Sequence, residues 1–170
     1  MRVVRSLVVC AVSVATAGFI GPTVGTAESP HRDRFGPRVR TEQGIVVGSK
    51  VEGSASIAWL GVPYAAAPVG SLRWQPPEDA PPRSAPLTTT TYAPHCYQVG
   101  DPGSNEDCLY LNVWRPDTHE RNLPVMVWIH GGSNTGGSGD GFWYAAAQRL
   151  GVVIVSVNYR LAASAVIRGT

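Results

Sequence analysis

Short strand-like stretches bounded by turn residues recur after residue 37, and in the last of them, from residue 109 to residue 114, hydrophobic and polar or aromatic residues alternate. The first two stretches flank Glu42-Gln43-Gly44, which predicts a turn between them, and Gly61 and Pro63 are expected to end the third. Between residues 65 and 86 the chain is rich in proline, which predicts irregular coil. The four predicted strands cover residues 38–41, 45–47, 56–64 and 109–114.

The pattern changes in the second half of the chain. Residues 125–129 form an unbroken apolar run, which is typical of a strand buried on both faces. Apolar residues then recur at helical spacing from Phe142 to Leu150, and Gly151 is a stop signal. A second apolar strand is predicted at 152–157. The order strand, loop, helix, strand predicts a βαβ unit, and hence parallel strands in an α/β sheet.

The amino terminus has the features of a secretory signal peptide. Two arginines precede an apolar stretch at about 7–20, and small residues stand before Glu28. A membrane anchor is the alternative, but the stretch is short and polar or small residues interrupt it. We therefore predict cleavage near Ala27, export from the cytoplasm and no stable membrane anchor. A flexible lead-in is predicted at 28–38, followed by the folded domain at 39–161.

Composition excludes one class of partner. The 170 residues contain 14 basic and 12 acidic side chains, a net charge of +2. Arg2 and Arg5 supply two of the positive charges, so cleavage near Ala27 leaves 12 of each sign. A nucleic-acid-binding surface needs clustered positive charge, which this balance does not support. We expect about one domain and no nucleic-acid partner.

Cleavage leaves two cysteines, Cys96 and Cys108. In an oxidising compartment they could form a disulfide that closes a loop of 13 residues. Free thiols or half of a metal site are the alternatives. The four histidines are scattered at 31, 95, 119 and 130, and the cysteines are not closely spaced, which makes a metal site the weaker idea. No metal is predicted.

A glycine-rich loop at 131–141 follows the apolar strand and precedes the predicted helix. Glycines there let the backbone approach a ligand and direct its N–H groups outward. The spacing is wrong for a dinucleotide fingerprint, and a P-loop needs a Gly-Lys pair, whereas Lys50 is the only lysine. Two interpretations stay open: a plain connection, or an oxyanion hole of the His-Gly-Gly type at His130-Gly131-Gly132-Ser133. No cofactor is expected.

Taken together, residues 41–161 resemble the type B carboxylesterases and cholinesterase-like proteins of the α/β-hydrolase superfamily. The resemblance implies an α/β fold that corresponds to the amino-terminal portion of an α/β-hydrolase, with antiparallel strands leading into a βαβ unit and an incomplete sheet. Residues 162–170 depart from the family and form a divergent tail. Four segments carry the resemblance, in the family's order: TEQGIVVG at 41–48, WLGVPYAAAPVGSLRWQPP at 59–77, NEDCLYLNVWRP at 105–116, and VMVWIHGGSNTGGSG through VVIVSVNYRL at 125–161.

The resemblance also implies roles for individual residues. Cys96 and Cys108 match the family's first disulfide pair. The backbone amides of Gly132 and Ser133 match the oxyanion-hole donors, and His130 and Gly131 match residues that position this loop. A residue smaller than serine is common at 133, but a backbone donor is unaffected by the side chain. Asn134 stands where an aromatic residue is usual, which is expected to alter the acyl pocket.

The family's nucleophile is a serine in the pattern Gly-x-Ser-x-Gly, with an acid and a histidine later in the chain. None of the 13 serines here fits, and Ser138 comes nearest. The resemblance therefore implies the amino-terminal part of a secreted carboxylic ester hydrolase, acting on a small-molecule ester through an acyl-serine in intact relatives, and predicts that this chain alone is inactive. A non-catalytic cholinesterase-like binding or adhesion module is the alternative. The sequence indicates no oligomeric state.

Overall fold

The computed structural model describes residues 37–165. The predicted signal peptide with its cleavage site near Ala27, most of the lead-in at 28–38 and the last five residues of the tail lie outside the described residues. Within 37–165, no helix has both the length and the apolar character that crossing a bilayer requires. The elements are eight strands and one α-helix, with short 3₁₀ turns at Gly70–Leu72 and Ala162–Ala165: β1 (Arg38–Thr41), β2 (Gly44–Val47), β3 (Ser49–Lys50), β4 (Ser56–Pro63), β5 (Leu87–Thr88), β6 (Tyr110–Pro116), β7 (Val125–Ile129), α1 (Tyr144–Leu150) and β8 (Val153–Val157).

The first predicted hairpin is confirmed. Strands β1 and β2 pair antiparallel, with Thr41 opposite Gly44, and β5 adds to β2 in parallel to complete a small three-stranded sheet. Gly44 has φ +129°, and a Cβ there would lie 2.7 Å from the Arg83 carbonyl oxygen. The turn therefore requires glycine both for its backbone conformation and for the close approach of the coil at residue 83.

The larger sheet contains the predicted βαβ unit. Its strand order is β3-β4-β6-β8-β7, in which β7 and β8 are parallel and the other neighbours are antiparallel. The predicted third strand is confirmed as β4, which ends at Pro63 as expected. Gly61 does not end it, because β4 continues through a register shift between Trp59 and Val62. Gly61 has φ +69° inside this irregularity, and its N–H donates to Asn112 Oδ1 at 2.9 Å, which compensates for the interrupted ladder.

Helix α1 lies over the middle of this sheet and ends as predicted. It packs against β4, β6 and β8, where Ala147 meets a buried cluster that contains Ala58, Trp114 and Ile154. Gly151 caps the helix in the left-handed conformation with φ 64°. The predicted start was too early, since the helix begins at Tyr144 and Phe142 lies before it with 85% of its surface exposed.

Strand β7, whose apolar run is typical of a strand buried on both faces, is exposed within the described residues. All five side chains of β7 are between 42% and 67% exposed. The reason is position: β7 is the outermost strand of the sheet, and α1 covers β4, β6 and β8 instead. Trp143 covers part of this strand through its contact with Trp128, with ring centroids 4.8 Å apart.

Candidate functional site

The glycine-rich loop, residues 131–141, follows His130 at the carboxyl end of β7. The neighbouring parallel strand β8 ends at Val157, and Asn158 follows it at the same edge of the sheet. The carboxyl ends of parallel strands are the usual place for ligand-binding residues in α/β sheets, because the loops that follow the strands converge there. Residues 131–135 are exposed at this edge, whereas His130 is only 7% exposed.

The first half of the loop is a tight turn that presents two amides. Ser133 and Asn134 both have positive φ, at 53° and 58°, and the Thr135 N–H donates to the Gly132 carbonyl at 2.9 Å. Two successive residues with positive φ are the signature of a type I′ turn. Among residues 37–165, the N–H groups of Gly132 and Ser133 have no hydrogen-bond acceptor. The turn thus leaves two adjacent donors free to bind an oxygen atom.

His130 fixes the base of the turn. Its ring stacks on Tyr159 with centroids 4.2 Å apart, and the Tyr159 hydroxyl donates to the His130 carbonyl oxygen. The Nδ1 and Cε1 atoms of the ring lie against Gly137, where a Cβ would come within 2.4 Å of His130 Nδ1. Nδ1 is also 2.8 Å from the Gly131 carbonyl oxygen. These contacts bury the ring at the base of the turn, where only 7% of His130 is exposed.

A buried polar group holds the second half of the loop. Asn112 and Ser156 reach the Gly139 carbonyl oxygen from β6 and β8, and they bond each other at 3.1 Å. Asn158 Oδ1 accepts the Gly139 N–H at 2.7 Å. All three side chains are buried, and buried polar groups need such partners. Sequence reasoning did not assign them, although a polar residue within an apolar strand, as at 112 and 156, was the available signal.

The disulfide loop, residues 96–108, also contacts the glycine-rich loop, through the side chain of Gln98. Cys96 and Cys108 form the disulfide that the resemblance implied, with their Cα atoms 4.8 Å apart. Within the closed segment, Gln98 Oε1 accepts the Gly137 N–H at 2.8 Å and Gln98 Nε2 donates to the Gly137 carbonyl at 3.2 Å. Gln98 therefore satisfies both backbone groups of one residue in the glycine-rich loop, another contact that the sequence did not predict.

His95 stands between two carboxylates. Its Nδ1 lies 2.7 Å from Asp101 Oδ2 in the disulfide loop, and its Nε2 lies 3.0 Å from Asp140 Oδ2 in the glycine-rich loop. The hydrogen bond to Asp140 is the main cause that raises the pKa of His95 above 6.5, and Asp101 adds to it. The imidazole lies between the two carboxylates. Among residues 37–165, no group of three or more His, Cys, Asp or Glu side chains is arranged so that it could hold a metal ion.

The conformation of Ser133 allows one comparison by mutation. A non-glycine residue in the left-handed region carries a steric cost of about 1 kcal/mol, which asparagine tolerates better than serine. Ser133→Gly is therefore expected to raise the free energy of unfolding by about 1 kcal/mol, and Asn134→Gly to change it by less than about 0.5 kcal/mol. Urea denaturation of both variants measures the difference. Equal effects at the two positions would show that the turn is not the one described.

Comparison with known proteins gives matches over the described region. The sequence model that describes the carboxylesterase family matches residues 36–164 of this chain. The fumonisin B1 esterase of Sphingopyxis macrogoltabida is 44% identical over 134 residues, which cover 71% of this chain and 24% of that protein. The para-nitrobenzyl esterase of Bacillus subtilis (strain 168) is 42% identical over 137 residues, which cover 72% and 27%.

A solved structure agrees with these matches. The structure of a PNB esterase is 42% identical, with a TM-score of 0.68 over 73% of this chain and 27% of that chain. The chain thus spans about a quarter of the length of the relatives that it matches.

Proposed function

Because this chain belongs to the carboxylesterase family, we propose that its glycine-rich loop provides the oxyanion hole of a carboxylic ester hydrolase. The resemblance found in the sequence motifs is confirmed by the family match, and the α/β-hydrolase fold is confirmed with it. The relatives are ester hydrolases by name, which supports a small-molecule carboxylic ester as the substrate class.

One observation supports the proposal most strongly: the amides of Gly132 and Ser133 have no acceptor within residues 37–165 and lie at the carboxyl edge of the sheet. Attack on an ester carbonyl places negative charge on the carbonyl oxygen. Fixed N–H donors stabilise that charge without reorganising, and the loss of one such donor typically costs about 10²–10³ in kcat. The buried partners of His130 and Gly139 hold the backbone in place for this task.

The donors alone do not hydrolyse an ester. An acyl-serine mechanism also needs a serine nucleophile, a histidine that transfers its proton and an acid that orients the histidine. No serine among the 170 residues stands in Gly-x-Ser-x-Gly, and the ring of His130 is buried against Tyr159 and Gly137. We therefore propose that the 170-residue polypeptide by itself forms no acyl-enzyme.

Export is part of the proposal. A disulfide persists in oxidising compartments and is rare in the cytosol, so the bond between Cys96 and Cys108 favours an extracytoplasmic location. The charge and hydrophobicity pattern of residues 1–27 favours the same location. Expression with and without residues 1–27, followed by analysis of the culture medium, tests this part separately.

A fluorophosphonate probe tests the chemical part. The 170-residue chain is expected to remain unlabelled and to release no burst of p-nitrophenol from p-nitrophenyl acetate. A hybrid enzyme, in which residues 37–161 replace the segment that they match in the B. subtilis para-nitrobenzyl esterase, is expected to be labelled at the relative's serine and to turn over. The control is the same hybrid with that serine changed to alanine. Labelling of a hydroxyl between Glu28 and Thr170, or a folded hybrid without turnover, would contradict the proposal.

A further inference from the structure

A continuous set of side-chain hydrogen bonds, the His95 network, joins residues 95–108, which are the disulfide loop and the histidine before it, to the glycine-rich loop at two points. Gln98 binds the backbone of Gly137 at one point, and His95 binds Asp140 at the other. Asp101 connects the two, because its Oδ2 lies 2.7 Å from His95 Nδ1 and 3.4 Å from Gln98 Nε2. Since the disulfide closes residues 96–108 covalently, the network ties the glycine-rich loop to a constrained segment.

The network is complete in only one protonation state of His95. Both ring nitrogens face carboxylate oxygens, and a neutral imidazole has only one N–H to donate. When His95 is neutral, one of its two nitrogens therefore directs a lone pair at a carboxylate. Asp140 depends on this contact, because its Oδ1 is buried without a hydrogen-bond partner among the described residues.

The groups that face His95 come from both loops. They are Asp101 from the disulfide loop and Asp140 from the glycine-rich loop. Tyr92, which precedes His95 in the chain, donates its hydroxyl to the Gly141 carbonyl at 2.6 Å, and burial raises its pKa, so it remains neutral through the range in which His95 titrates. Both charges that face His95 are thus negative and favour the imidazolium.

We propose that His95 and Gln98 are positioning residues of the oxyanion loop, and that protonation of His95 sets how firmly the loop is held. This inference rests on the proposed function of that loop. Protonated His95 donates to both Asp140 and Asp101, and its deprotonation removes one of these two bonds. In either neutral tautomer the connection through His95 between the disulfide loop and the distal end of the glycine-rich loop is broken. The bonds from Gln98 to Gly137 do not titrate themselves, but the segment that they hold opens more readily once the connection through His95 is lost.

The direction of the pH effect follows from the contacts. Hydrogen bonds to Asp140 and Asp101 place the pKa of His95 in the folded chain above 6.5, its value when unfolded. The stabilisation is therefore complete below about pH 6.5 and is lost as the pH rises through the folded pKa. Asp101 stays charged over this range, because its hydrogen bond to His95 lowers its pKa.

Amide exchange in the 170-residue chain tests the inference without any catalysis. With ¹⁵N-glycine labelling, the protection factor of the Gly137 amide is expected to fall about fivefold between pH 5.5 and pH 8.5, the factor that one net hydrogen bond supplies. The fall should follow the titration of the His95 ring measured by NMR in the same sample. In His95→Gln the protection factor is expected to be independent of pH. In Gln98→Ala it is expected to fall about tenfold at both pH values.

Two exposed residues provide matched controls. His119→Gln and Gln75→Ala make the same chemical changes away from the network and should leave the wild-type behaviour intact. If His95→Gln does not fold, the pH dependence of the Gly137 protection factor in the wild-type chain still tests the inference. A pH-independent Gly137 amide in the wild type, or a pH dependence that persists in His95→Gln, would overturn the inference. Because no ester is involved, a failed proposed function would leave this measurement unchanged, whereas failure here would leave the hybrid enzyme's turnover unaffected.

Discussion

Gly132→Ala is expected to lower the free energy of unfolding by about 2–3 kcal/mol and the kcat of the hybrid enzyme by about a hundredfold. Gly132 has φ +115°, which residues with a side chain rarely adopt. A Cβ at this position would lie 1.9 Å from the Gly136 carbonyl oxygen, which is backbone and has no side-chain torsion to relieve the contact. The loop must therefore rebuild, and the Ser133 amide moves with it.

The adjacent residue is the matched control. Gly131 has no atom within 4 Å of the position where a Cβ would stand, and its φ is outside the positive range. Gly131→Ala should therefore change the free energy of unfolding by no more than about 0.5 kcal/mol and retain most of the kcat. Urea denaturation and p-nitrophenyl acetate kinetics report the two effects. Equal losses in both variants would mean that the close packing of Gly132 on Gly136 does not exist in solution.

The elements that sequence predicts well are those whose pattern is local. The βαβ unit follows from the apolar run at β7, the helical spacing before Gly151 and the apolar run at β8, and all three are short-range signals. The position of the glycine-rich loop follows in the same way. The role proposed for it came from family motifs, because spacing alone left open both an oxyanion hole and a plain connection.

What could not be predicted depends on neighbours that are distant in sequence. An apolar run indicates that a strand suits a buried position, but exposure depends on which elements lie beside it, and β7 is at the edge of the described sheet. The partners of Gly137 and Asp140 are equally remote, since Gln98 and His95 precede them by 39 and 45 residues. The sequence pattern of neither loop indicates that it contacts the other loop.

Asn112 and Ser156 illustrate an intermediate case. Each interrupts a strand that is otherwise largely apolar, so the sequence marks both as residues that need a buried partner. It does not name that partner, which is the backbone of Gly139. The fold supplies it by placing the second half of the glycine-rich loop against β6 and β8.

Removal of one N–H without any change of side chain shows whether the amides of residues 132 and 133 stabilise an oxyanion. In the hybrid enzyme, an ester linkage in place of the amide of Ser133 eliminates the donor and keeps the shape of the loop. We predict that kcat falls by about 10²–10³ while KM changes little, because the interaction forms mainly in the transition state. The same substitution at Ser138, outside the turn, should leave kcat within about twofold of the parent hybrid. A kcat that is unchanged by the ester at 133 would contradict the account.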